Sequence, residues 1–146
     1  MILLDTNILI RIANRNDPDY RLTLTAVAGC MRKGRQLFVA AQALQEFWAT
    51  ATRAKTKNGL AMTPSRADAF LQRFLTTFKR LPDHEGLFDA WRLTVSHFSI
   101  TGLHAYDARL AAFMQTHGLT RLMTYNAVDF AMFPIALVNP RDPSTW

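Results

Sequence analysis

A chain of 146 residues, 49% hydrophobic and 19% charged, carries enough apolar material for one folded domain over residues 1–146 and too much for a disordered chain. Its formal net charge of +6 and pI of about 10.1 point to a polyanionic partner. The lone Cys30 excludes an internal disulfide framework and a cysteine-rich zinc site, no apolar run approaches a membrane span, and Asp5 interrupts the first apolar run too soon for a signal peptide, so a reducing, cytoplasmic setting is expected.

The chain opens with Met1-Ile-Leu-Leu, a short continuous apolar run that reads as a buried parallel strand, followed at once by Asp5, Thr6 and Asn7, residue types that hand a strand over to a helix. A helix is expected from Thr6 to about Ala13, then a loop through Asn14–Asp19 and a helix Tyr20–Lys33 stopped by Gly34. Gln36–Ala40 reads as a second strand, and Gln42–Ala54 as a helix with Leu44, Phe47, Trp48 and Ala51 on one face. After a basic loop at 53–59, Thr63-Pro64 marks an N-cap and first-turn proline for a helix whose buried stripe is Ala67, Phe70, Leu71, Phe74, Leu75 and Phe78. Lys79–Pro82 is a short edge segment. The next helix, Glu85–Phe98, has the stripe Leu87, Phe88, Trp91, Val95 and Phe98, and a further helix spans His104–His117. Arg121–Thr124 is a core strand, and Ile135–Val138 is placed to add a last one. Strands separated by helices imply an α/β fold, a central, mainly parallel sheet flanked by helices in an α/β/α arrangement.

Against this frame the acids can be sorted. Asp68 and Asp89 face away from their apolar stripes, Asp17 and Asp19 belong to a turn-rich loop, and Asp83, Glu85 and Asp142 sit beside prolines or at a helix start. Asp5 stands at the carboxyl end of the first strand, the edge where open α/β sheets place their chemistry. Asp107 shares its helix face with Leu103, Leu110, Ala111 and Met114 and so interrupts an apolar stripe. Asp129 follows a core strand between apolar neighbours, where it could also serve as a helix cap, and Glu46 lies in the opening turns of the helix after the second strand. Acids gathered on one edge repel one another, and a hard divalent cation, Mg²⁺ or Mn²⁺, relieves the conflict. No two of the four histidines are spaced to share a zinc ion on one helix face, although His104 is close enough in sequence to support Asp107.

Four blocks resemble the PIN-domain family, in particular the toxin ribonucleases of VapBC toxin–antitoxin systems. They are Leu4-Asp5-Thr6-Asn7, Gln45-Glu46-Phe47, Tyr106-Asp107-Ala108-Arg109-Leu110-Ala111-Ala112, and Leu122-Met123-Thr124-Tyr125-Asn126 with Asp129-Phe130, in family order over nearly the whole chain. The resemblance implies that Asp5, Glu46 and Asp107 form the acidic core of a metal site. A fourth acid common in relatives falls at Asn126 here, so either Asn126 or Asp129 completes the site. Thr6, Asn7, Thr124 and Arg109 would support carboxylates or substrate.

The function implied is an Mg²⁺-dependent (or Mn²⁺-dependent) endoribonuclease, the toxin of a type II toxin–antitoxin pair. RNA is its substrate, a cognate antitoxin covers its active site, and it pairs as a homodimer away from any membrane. Candidates for gripping the RNA backbone are Arg32, Lys33, Arg35, Arg53, Lys55, Lys57 and Arg109. The rivals are a non-catalytic nucleic-acid-binding module of the same fold and a DNA-directed nuclease with the same acids. A phosphatase of the haloacid dehalogenase type would need an acid where Asn7 stands.

Overall fold

The computed structural model describes residues 1–146. Five strands form one all-parallel sheet: β1 (Ile2–Leu4), β2 (Leu37–Ala40), β3 (Lys79–Leu81), β4 (Arg121–Met123) and β5 (Ala136–Val138), in the order β3-β2-β1-β4-β5. Between them run α1 (Thr6–Ala13), α2 (Tyr20–Arg32), α3 (Ala41–Thr52), α4 (Pro64–Thr77), α5 (Leu87–His97) and α6 (His104–Thr116). The expected α/β/α layering therefore holds, with the sheet parallel throughout.

Strand alternation divides the core. Ile2, Leu4 and Val39 point to one face, where α1–α4 pack around Phe47, Phe74 and the buried Cys30 thiol. Leu3, Phe38 and Ala40 point to the other, against Leu87 and the Ala108–Met114 face of α6. The chain moves outward from β1 through β2 to β3, then returns to the other side of β1 with β4 and β5. The order thus reverses between β1 and β4, and a crevice opens there outside the carboxyl ends of the strands. Local signals set the helix that begins in this crevice, because the Asp5 side chain accepts the Thr6 N–H and caps α1. Thr63 caps α4 in the same manner, with Pro64 in its first turn.

Periodicity overstated four burials. Trp48, Leu75, Phe88 and Phe98 were expected in buried stripes, yet each is exposed, Phe88 to 66%. A 3.6-residue period identifies the apolar face of a helix, while burial also requires an element lying across the outer part of that face. α5 is the outermost layer on its side and buries only Leu87 fully. Leu103, placed on the Asp107 face, is 81% exposed because it precedes α6 rather than packing within it.

The two kinds of phenylalanine should separate by stability. Phe47 is fully buried, its ring 5.0 Å from that of Phe74 in an edge-on contact. Phe47→Ala is expected to destabilise the protein by about 3–5 kcal/mol, and Phe88→Ala by no more than about 0.5 kcal/mol, both read from denaturant midpoints. Equal losses would contradict this packing.

Candidate active site

Each element meeting the crevice delivers one acid. Asp5 ends β1, Glu46 lies in the second turn of α3, which starts directly from β2, Asp107 is in the first turn of α6, and Asp129 lies in a 3-10 turn (Ala127–Phe130) just beyond β4. Asp5 is 8% exposed, Glu46, Asp107 and Asp129 are half-buried, and Asn126 is exposed.

Hydrogen bonds tie the cluster into two connected halves. Asp5 Oδ1 accepts the Thr6 N–H at 2.6 Å, while Oδ2 accepts the Thr124 hydroxyl at 2.6 Å and the Asn7 side-chain amide at 2.5 Å. Asn7 also donates to Thr124 Oγ1 at 3.0 Å and accepts the Tyr125 N–H at 3.2 Å, so α1 and the segment after β4 are stitched together across the crevice. Thr6 turns its hydroxyl the other way and donates to Glu46 Oε2 at 2.6 Å. The second oxygen, Glu46 Oε1, accepts from Gln42 Nε2 at 2.8 Å.

Gln42 is the residue sequence reasoning missed. Its Nε2 also donates to the Tyr106 carbonyl at 2.9 Å, and its Oε1 accepts from Arg109 Nη1 at 3.0 Å. Because a guanidinium only donates, the amide can face it only with its oxygen, which leaves the nitrogen for Glu46. Arg109 Nη2 in turn donates to Asp83 Oδ2 at 2.6 Å. The available signal was a polar residue in the first turn of α3, four positions before Glu46 and on the same helical face. Asp83, which the sequence marks only as an acid beside Pro82, is the anchor of this chain of contacts.

The charges are uncompensated. Burial pushes the Asp5 carboxyl from 3.8 up to about 6; the Thr124 and Thr6 hydrogen bonds oppose this, while the charges of Glu46 and Asp107 add to it. Burial likewise raises Asp107, with Asp129 and Glu46 adding repulsion and His104 opposing it. His104 Nδ1 stands 3.2 Å from Asp107 Oδ2, the support expected from sequence. No lysine or arginine pairs with Asp5, Glu46, Asp107 or Asp129; the nearby Arg109 is committed to Gln42 and Asp83. Of the two candidates for the fourth position, Asp129 bears electrostatically on Asp107, whereas Asn126 contributes a backbone N–H to Thr124 Oγ1 at 2.9 Å.

Most of the basic residues named as candidates for holding the RNA backbone lie away from the acids. Arg32 ends α2, and Lys33 and Arg35 follow in the connection to β2, next to Gln36, whose carbonyl accepts the Ile2 N–H at the start of β1, at the opposite edge of the sheet. Arg53, Lys55 and Lys57 follow the far end of α3.

A divalent cation suits this donor set. The oxygens come from carboxylates, hydroxyls and amides, the charges lack a protein counterion, and no three acids or histidines are drawn into a closed coordination group. A hard divalent cation can be held by one or two direct carboxylates while it keeps several waters.

The raised Asp5 carboxyl has a defined pH signature. Its proton is held more tightly in the folded than in the unfolded chain, so its contribution to stability is full below about pH 4 and is lost as the pH rises through about 6. In EDTA, wild-type stability should therefore fall, relative to Asp5→Asn, by roughly 3 kcal/mol between pH 4 and pH 7. Parallel stability–pH curves for the two proteins would show that Asp5 titrates normally.

The PIN domain family matches residues 2–132. No curated protein sequence matches the chain. Among solved structures, VapBC2 from Rickettsia felis bound to a promoter DNA fragment superposes with a TM-score of 0.68 at 20% identity, covering 95% of this chain and 98% of that one. FitAcB from Neisseria gonorrhoeae gives 0.68 at 17% identity over 97% and 99%. VapC20 from Mycobacterium tuberculosis, described as a sarcin-ricin loop cleaving toxin, gives 0.66 at 18% identity over 91% and 96%. At these identities the structures show a shared fold, and with the family match over nearly the whole length the chain belongs to the PIN domain family.

Proposed function

We propose that this protein is a metal-dependent endoribonuclease, the toxin of a type II toxin–antitoxin pair, acting in the cytoplasm as one domain over residues 1–146. The observation that carries the reading is that Asp5, Glu46, Asp107 and Asp129 sit on elements that meet at the switch point of the sheet, with no lysine or arginine paired to any of them. The family match and the fold shared with VapBC structures support it, as does the description of VapC20 as an RNA-cleaving toxin.

Asp5, Glu46 and Asp107 are the residues that would hold Mg²⁺ or Mn²⁺, and Asp129, whose charge bears on Asp107, would complete the site in preference to Asn126. When bound, the ion would neutralise the phosphodiester and lower the pKa of an attacking water. The chain's own residues supply order. Thr124, Asn7 and the Thr6 N–H fix both oxygens of Asp5, so its carboxylate does not have to reorganise as charge develops on phosphorus. Thr6 and Gln42 fix Glu46 from opposite sides, and Arg109 sets the direction of the Gln42 amide. Attack by water, rather than by the neighbouring 2′-hydroxyl, breaks the bond from phosphorus to the 3′-oxygen and leaves a 5′-phosphate and a 3′-hydroxyl. The partly exposed Glu46, Asp107 and Asp129 leave room for coverage by a cognate antitoxin segment, in keeping with a relative solved as a toxin–antitoxin complex, and a homodimer is the expected assembly.

Purified, partner-free protein incubated with labelled RNA tests the reading. Cleavage is expected with Mg²⁺ or Mn²⁺ and not with EDTA, and Asp5→Asn and Asp107→Asn should each lower the rate by at least about a hundredfold. A wild type that binds RNA in a salt-dependent manner yet stays inert with every metal would replace the nuclease by a binding module.

A further inference from the structure

One strand beyond β2 on the same sheet edge lies a cavity that the acidic cluster does not use. The segment after β3 (Asp83, His84 and Glu85) and the start of α5 (Phe88 and Trp91) line an open depression of about 420 Å³, with Arg109 as a further wall. That volume is in the range of small-ligand sites.

Its lining is unusual for a docking groove. Phe88 is 66% exposed, and its ring centroid lies 5.6 Å from that of Trp91, the rings tilted by 46°. The Trp91 indole N–H donates to the Ala105 carbonyl at 2.9 Å, which holds that ring in place. The Arg109 guanidinium is held at both Nη atoms, by Gln42 and Asp83. Three flat groups, two of them locked by hydrogen bonds, therefore border one cavity. The polar rim is equally specific. His84 Nδ1 accepts the Gly86 N–H at 3.0 Å, so the ring proton sits on Nε2 and is available to donate. No cation of the chain pairs with Glu85, which leaves a carboxylate free to accept. Two carboxylates at the mouth disfavour a phosphate. Flat faces with one donor and one acceptor at the edge fit a heterocycle bearing both amino and carbonyl groups.

We propose that this cavity is a nucleobase subsite, in which an unpaired base of the bound RNA stacks on Phe88 and Trp91 and presents its edge to Glu85 and His84. The proposal rests on the ribonuclease reading above. The occupant follows from continuity, because Arg109 walls the cavity and donates to Gln42, whose amide holds Glu46. These two hydrogen bonds place the cavity two side chains from Glu46, so a strand with a phosphodiester at the acids would bring a flanking base to this wall. Aromatic and guanidinium faces are the usual platforms for unstacked RNA bases, and they select single-stranded over duplex RNA.

Fluorescence anisotropy with a labelled single-stranded ribo-oligonucleotide in EDTA tests the assignment, using wild type, Phe88→Ala, Phe88→Leu and Phe88→Trp, and repeating each titration on an abasic strand of equal length. Phe88→Ala and Phe88→Leu should weaken binding roughly 5- to 100-fold, Phe88→Trp should stay within about threefold of wild type, and all four proteins should bind the abasic strand alike. The KM for cleavage of the same RNA should rise in step. Wild-type affinity in Phe88→Ala, or equal weakening on the abasic strand, overturns the subsite while leaving the nuclease intact. Wild type that neither binds nor cleaves any RNA overturns both. A wild-type dimer that Phe88→Ala converts to a monomer in sedimentation makes the patch a contact between copies and also overturns the subsite.

Discussion

A carboxylate nearly closed off from water at the end of the central strand is the constraint around which this protein is arranged. Burial makes the charged form of Asp5 costly, and the fold answers with three donors drawn from two segments more than a hundred residues apart in sequence. One of those donors, the Thr6 N–H, begins α1, so the same contact that satisfies the acid also sets where the first helix starts. The other two join α1 to the segment leaving β4 and hold the crevice at a fixed width. Hydrogen bonds alone leave the carboxyl at about 6, short of full compensation, and that residual cost is the physical argument for a cation.

The second acid is governed by a longer series of contacts. Asp83, Arg109, Gln42, Glu46 and Thr6 form an unbroken run of hydrogen bonds along the carboxyl edge, from beyond β3 to the start of α1. Each member has its polar atoms aimed by its neighbour, so Glu46 keeps one orientation without a protein cation beside it. The arrangement keeps positive charge close to the acids while leaving their negative charge unpaired, which is what a site awaiting a metal and a phosphate requires. It also joins the acidic crevice to the aromatic cavity through one guanidinium.

How far the sequence reveals this depends on the range of the contact involved. Helix α1 and the caps at Asp5 and Thr63 were legible because capping is a contact between near neighbours in the chain. Asp107 was legible because a charge within an apolar stripe violates the helical period, and it lies half-buried beside His104. Glu46 had no such mark in its periodicity, and its position in the helix after the second strand, together with the resemblance to a known family, singled it out. Gln42 carried one local mark, its place four positions before Glu46 on the same helical face, while its other partners lie 64 and 67 residues away, where no local pattern reaches. The exposed Phe88 and Phe98 mark the converse failure, in which the period correctly names a face but cannot say that α5 has no layer outside it. Charge was legible in total and not in place, since six of the seven basic residues first considered for the RNA backbone lie away from the acids.

The central claim is that the four acids act as one cation site, and Mn²⁺ binding followed by electron paramagnetic resonance on the metal-free protein measures it most directly. Saturable binding that falls at least about tenfold in affinity in Asp5→Asn and equally in Asp107→Asn is the predicted result, since residues from β1 and α6 then serve the same ion. Binding that survives unchanged in Asp107→Asn, or that never saturates in wild type, would mean that the acids share an edge of the sheet without sharing a metal.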